Sequence, residues 1–145
     1  MARISLFLIL CTVSSYLIFA NASTECVWAT GRIVCEKNQT LVVNSIVELY
    51  DLDSPQNSKI KNPIDPDDKV AFTHVENIDG IFRLEGCASD VDWIPGIKNR
   101  PELYFRVFHY CNNPEGEYKY VWPVFQVFVP DTYDKHINDP IVLDN

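Results

Sequence analysis

The sequence lacks any sustained 3.6-residue apolar period, which excludes a helical bundle as its main architecture. It has no closely paired cysteines of the C-x-x-C type, so the common zinc spacing is missing, and no D-x-D-x-D-G calcium loop. Bases are scarce, with 12 Lys and Arg against 20 Asp and Glu, a net charge of −8. That sign argues against nucleic acid as a partner and against unaided binding to anionic lipid. Internal repeats and low-complexity stretches are absent, and beyond the first 20 residues no run is apolar enough to span a bilayer. No serine or cysteine nucleophile motif accompanies His74, His109 or His136, so the chain is read as no enzyme, with no catalytic residue, cofactor or metal ligand.

What is present begins with an N-terminal leader. Met1-Ala2-Arg3 sets one positive charge before an apolar run over residues 4–19, and Ala20-Asn21-Ala22 offers small residues where a signal peptidase reads. This predicts a signal peptide over 1–22 and a secreted, extracellular domain over 23–145. The run is shorter than the roughly 20 residues of a membrane helix and contains Thr12, Ser14 and Ser15, so it is not read as membrane-spanning. Cleavage would remove one arginine and no acid, leaving 11 bases against 20 acids, a net charge of −9 on 123 residues. That length fits one domain with one core. Cys11 leaves with the leader, and the even set Cys26, Cys35, Cys87 and Cys111 predicts two disulfides in any of three connectivities. Asn38-Gln39-Thr40, in a connection between strands, predicts an N-linked glycan on Asn38.

The periodicity is that of strands. Val47 and Leu49 alternate with Glu48 and Tyr50 over 45–52, and further strand-like runs cover 27–34, 69–75, 81–84, 103–110 and 118–129. Asn77-Ile78-Asp79-Gly80 reads as a hairpin turn, because glycine accepts positive φ, and residues 54–68, with three prolines, read as a long loop. The whole predicts an all-β antiparallel sandwich of about seven strands. Pro123 cannot donate to a ladder, so its strand is expected to be bulged or to start late. Around it Tyr118, Tyr120, Trp122, Phe125 and Phe128 fall on both faces, which makes Tyr120 and Trp122 candidate contact residues on the face that does not fill the core. Lys59, Lys61, Lys98 and Arg100 are the loop bases that could meet a phospholipid head group.

Asp51-Leu52-Asp53 and Asp65-Pro66-Asp67-Asp68 bring five carboxylates to the two ends of the long loop. Hard oxygen ligands of this kind can hold calcium, but solvated turns and strand-end charges explain them more simply, and no metal is assigned. His109, amid aromatics and a cysteine, is expected to hydrogen-bond inside the sandwich.

Gly31-Arg32-Ile33-Val34-Cys35, Val47-Glu48-Leu49-Tyr50-Asp51, Asp79-Gly80-Ile81-Phe82, His109-Tyr110-Cys111 and Phe128-Val129-Pro130-Asp131-Thr132-Tyr133 follow one another in an order that resembles the nematode transthyretin-like family. The resemblance covers nearly all of the chain after residue 27. It implies a transthyretin-like (prealbumin-like) sandwich and a secreted adaptor that contacts a cell-surface protein or a phospholipid head group, including exposed phosphatidylserine. Cys35 and Cys111 match the family pattern, implying a bridge between them and leaving Cys26 with Cys87. The alternative function is a carrier of a small hydrophobic ligand. The same sandwich elsewhere hydrolyses 5-hydroxyisourate, in a family that ends in Tyr-Arg-Gly-Ser. Here the end is Pro140-Ile141-Val142-Leu143-Asp144-Asn145, so that activity is not expected.

Overall fold

Strand β1 (Ala22–Val34) alternates strictly: Glu25, Val27, Ala29 and Ile33 turn inward and are buried, while Trp28 and Arg32 face out. This and the following elements come from a computed structural model that describes residues 22–53, 66–91, 94, 96–97, 99–126, 132–137 and 139–144, with the backbone alone at 22–23, 91, 122–126 and 132–136. Residues 1–21 of the expected leader, Asp65, the bases Lys59, Lys61 and Lys98, and the side chain of Trp122 lie outside the described residues.

After a single 3-10 turn (Gln39–Val42), strand β2 (Ile46–Asp51) buries Val47 and Leu49, and β3 (Lys69–His74) comes next in chain order. β4 (Ile81–Val91), β5 (Glu102–His109), β6 (Glu117–Gln126), β7 (Thr132–His136) and β8 (Ile141–Val142) complete the chain order. One sheet runs β4-β1-β7, with β8 also on β1, and the other runs β3-β2-β5-β6. The two form an all-β sandwich in which most pairings are antiparallel, but β7 and β8 run parallel to β1.

The core lies between the sheets. Val27, Ile33 and Phe82 from one meet Val47, Leu49, Leu103, Phe105 and Val107 from the other, and the rings of Phe82 and Phe105 stand edge-on with centroids 6.0 Å apart. Each such side chain contributes about 1.5–3 kcal/mol by leaving water. Gly86 of β4 lets β3 approach: a Cβ there would come within 2.8 Å of the Val70 side chain.

One expectation is overturned by the strand pairing and another is met. Asp79-Gly80 does form a turn, with Gly80 at φ +73° and its amide bonded to the Asn77 carbonyl, but no hairpin results. β3 pairs with β2 and β4 with β1, so the turn carries the chain from one sheet to the other. The reason is visible at Gly80, whose carbonyl accepts from the Ile33 amide, tying the turn to β1 and not to β3. At Pro123 the expected irregularity is present: Leu103 pairs with Phe125 but Phe105 with Val121, so β6 bulges over the residues around the proline. The edge position of β6 tolerates it.

Candidate binding surface

The outward positions of β3-β2-β5-β6 are not the polar veneer usual on a solvated sheet face. Tyr104, Arg106 and Phe108 project from β5, Tyr118 and Tyr120 from β6, Tyr50 and Glu48 from β2, and Phe72 from β3. Register makes neighbours of them: Glu48 faces Arg106, Tyr50 faces Tyr104, and Phe108 faces Tyr118. Ring contacts continue across the strands, stacked with centroids 5.7 Å apart for Tyr50 and Tyr104 and 6.2 Å for Tyr104 and Tyr120, and tilted with centroids 5.0 Å apart for Phe108 and Tyr118. Phe72, Tyr118 and Tyr120 remain 59%, 49% and 48% exposed. Tyr120 therefore lies on the surface that its residue type suggested.

Arg106 organises this face. Its guanidinium carbon lies 4.4 Å from the Tyr50 ring centroid and 4.3 Å from that of Tyr118, so it is clamped between two π faces. Its Nε and Nη2 each donate to Glu48 Oε2 at 2.8 Å, and Nη2 donates to the Tyr50 hydroxyl at 2.7 Å. Lys69 reaches the other Glu48 oxygen at 2.6 Å. Burial alone would raise the pKa of Glu48, but hydrogen bonds from Lys69 and Arg106 outweigh it and hold the carboxyl below its ordinary value. The result is a fixed charge buried under a tyrosine lattice. Rings held this way lose little rotamer freedom when a partner covers them, which favours contact energy over ordering cost.

At one end of the sandwich a polar cavity of about 460 Å³ is lined by Asp51, Asp53, Asp68 and Asp90. Asp51 is buried, and its Oδ1 accepts the Glu102 amide at 3.1 Å. Burial first, then the charges of Asp90 and Asp53, push its pKa up to about 7. Asp67 is bound into the loop instead, accepting from the Asp53 amide at 3.2 Å and the Tyr104 hydroxyl at 3.1 Å. Among the described residues no three His, Cys, Asp or Glu are grouped so as to hold a metal ion. Arg100, expected with the loop bases, turns inward to Glu25 at 3.6 Å, because that carboxylate is buried and has no other positive neighbour in the ion pairs described.

Cys26 and Cys87 are directly paired in the β1–β4 register and form a disulfide. The second expected bridge differs: Cys35 and Cys111 are free, buried thiols. They touch through a hydrogen bond, and burial together with that bond pushes the Cys111 thiol up to about 12, suppressing the thiolate that would attack a disulfide. Asp144 secures this corner, accepting from the Glu36 and Lys37 amides at 2.9 and 2.7 Å. Beside it, His109 is buried and its Nδ1 accepts the Cys111 amide at 3.3 Å, the internal hydrogen bond expected of it. Burial lowers its pKa and keeps the imidazole neutral. Asn38 is exposed, and its Oδ1 accepts from both the amide and the hydroxyl of Thr40.

No protein-family model and no curated protein matches the chain. Among solved structures, a 9R-lipoxygenase from Cyanothece PCC8801 is similar at 19% identity and a TM-score of 0.39, over 82% of this chain and 16% of that one. The chain thus spans about a sixth of the lipoxygenase's length.

The residues that sequence reading missed are Glu48 and Arg106. Each is a charge at an alternate position within an apolar strand, which was the available signal, and their opposition across two strands appears only in the register.

Proposed function

We propose that the protein is a secreted extracellular binding module of the transthyretin-like kind, which contacts a cell-surface protein or a phospholipid head group through the outer face of β3-β2-β5-β6. The observation that carries this reading is the exposed tyrosine lattice built on Arg106, since tyrosine and arginine supply most contact energy at protein interfaces. A disulfide fits an oxidising compartment, and no helix among the described residues is long and apolar enough to cross a membrane.

In this reading Asn38 carries a glycan, and glycosidase treatment of protein from a secreting host lowers its mass. The test of the face is capture of cell-surface proteins by wild type and by a folded Tyr118→Ala/Tyr120→Ala variant, beside vesicles of defined phospholipid with and without calcium. Loss of capture in the variant supports the reading, and undiminished capture together with undiminished vesicle binding overturns it. The alternative, a carrier of a small hydrophobic ligand, is favoured by one separate feature, a groove on the opposite sheet.

A further inference from the structure

The outer face of β4-β1 carries a second constellation, unrelated to the tyrosine lattice. Its cross-strand rows run Cys26 with Cys87, Trp28 with Glu85, Thr30 with Arg83, and Arg32 with Ile81. Successive rows on one face of a sheet are about 6.7 Å apart. Between them lies an open groove of about 860 Å³, lined by Trp28, Thr30, Arg32, Ile81, Arg83 and Ile137 among others. That volume falls within the range of small-molecule sites, roughly 300–1,000 Å³. On β7, Asp134 and His136 occupy the register positions beside Trp28 and Thr30.

Charge and apolarity meet here in an unusual way for an acidic chain. Trp28 and Ile81 are 56% and 53% exposed, at the two ends of the groove. Arg32 donates its Nε to the Asp79 carbonyl at 2.8 Å, which steadies the guanidinium and leaves its terminal amino groups available. Arg83, two residues from Ile81 on the same face, has no hydrogen-bond or ion-pair partner among the described residues. Glu85 lies opposite Trp28, one row away from Arg83, and forms no ion pair with it.

These features discriminate among occupants. A wholly apolar molecule would strip water from the guanidiniums without replacing it, which is unfavourable. A small inorganic anion would leave Trp28, Ile81 and Ile137 wet. A polyanionic surface is repelled by a chain of net charge −8, and Glu85 repels a second negative group at the Trp28 end. An organic monoanion with a long apolar part satisfies every side of the groove, because guanidinium forks match a carboxylate in two parallel hydrogen bonds. We propose that this groove binds a long-chain carboxylate, with its head group on Arg83 and Arg32 beside Ile81 and its hydrocarbon running toward Trp28. This gives a site and a ligand class to the carrier alternative, and it stands apart from the tyrosine face, which belongs to the other sheet.

Calorimetric titration of the disulfide-intact protein with monomeric oleate tests it, with oleyl alcohol as the uncharged probe. Saturable one-to-one binding of oleate is expected, at least about tenfold tighter than the alcohol, and weakened at least about tenfold by Arg83→Gln and by Trp28→Ala. Both positions are exposed, so circular dichroism should show unchanged folds. Tyr120→Ala should leave oleate affinity as it is, which separates failure of this site from failure of the tyrosine face. Absence of saturable oleate binding, equal affinity for the alcohol, or indifference to both groove substitutions would overturn the assignment. So would binding confined to vesicles of anionic phospholipid.

Discussion

Replacing Asp51 with asparagine should stabilise the protein at neutral and alkaline pH while changing little in acid. The carboxyl is 4% exposed, and burial followed by the charges of Asp90 and Asp53 raises its pKa from 3.8 to about 7. The folded chain therefore keeps a proton that the unfolded chain gives up from about pH 4 upward. Stability linked to this group is complete below that point and is lost as pH rises through about 7. At about 1.36 kcal/mol per pH unit, the full loss is on the order of 4 kcal/mol. Asparagine keeps the oxygen that accepts the Glu102 amide and never ionises. His109 works in the opposite direction, since its depressed pKa adds stability as pH rises toward 6.5, but it is present in both proteins and cancels in the difference. Urea unfolding followed by far-UV circular dichroism, with a chelator present, measures that difference. It should be small near pH 4 and reach several kcal/mol in favour of the variant near pH 8. A difference that stays level across this range would refute the buried-carboxyl argument.

Arg106→Met should destabilise the fold by about 3 kcal/mol, since the buried Glu48 carboxylate would retain only Lys69, and the adjacent Glu48→Gln should restore part of that loss in a double-mutant cycle. Gly80→Ala should cost roughly 2 kcal/mol or more, because φ is +73° and a Cβ would run into the Ile33 carbonyl, and a melting temperature equal to wild type would contradict this. Alkylation in denaturant without reductant should label Cys35 and Cys111 of the mature domain and spare Cys26 and Cys87, and absence of both labels would contradict the free thiols. Serine at both Cys26 and Cys87 should cost about 2–5 kcal/mol in chemical denaturation, given the 61-residue separation that the bridge closes.

Strands whose residues carry their own period were legible in advance. Val47 and Leu49, or Leu103, Phe105 and Val107, announce an inward face by alternation alone. β7 and β8 were not, because Thr132–His136 is largely polar and Ile141–Val142 has two residues, so both exist as strands only where β1 offers them partners. The later half of β4 escaped for a related reason: Glu85, Gly86 and Ser89 carry little strand propensity, and the long pairing with β1 holds them extended. The tyrosine face was visible as composition in β6, but Arg106 and Glu48 acquire meaning only through a register that one strand cannot reveal. Arg83 and Trp28 are likewise unremarkable until β4 folds back along β1.

The position of β1 has a kinetic consequence. It lies inside its sheet, bordered by β4 on one side and by β7 and β8 on the other, and the latter two follow it far along the chain, with Cys26 paired to Thr132. During translation its second edge therefore stays open until β7 and β8 have emerged, and closing it requires contacts of very long sequence separation. Such pairings form slowly and leave an unpaired strand edge exposed to other chains meanwhile. Conditions that shorten this waiting period, such as slower synthesis or a chaperone that shields strand edges, should raise the yield of soluble protein more than any gain in the stability of the finished fold.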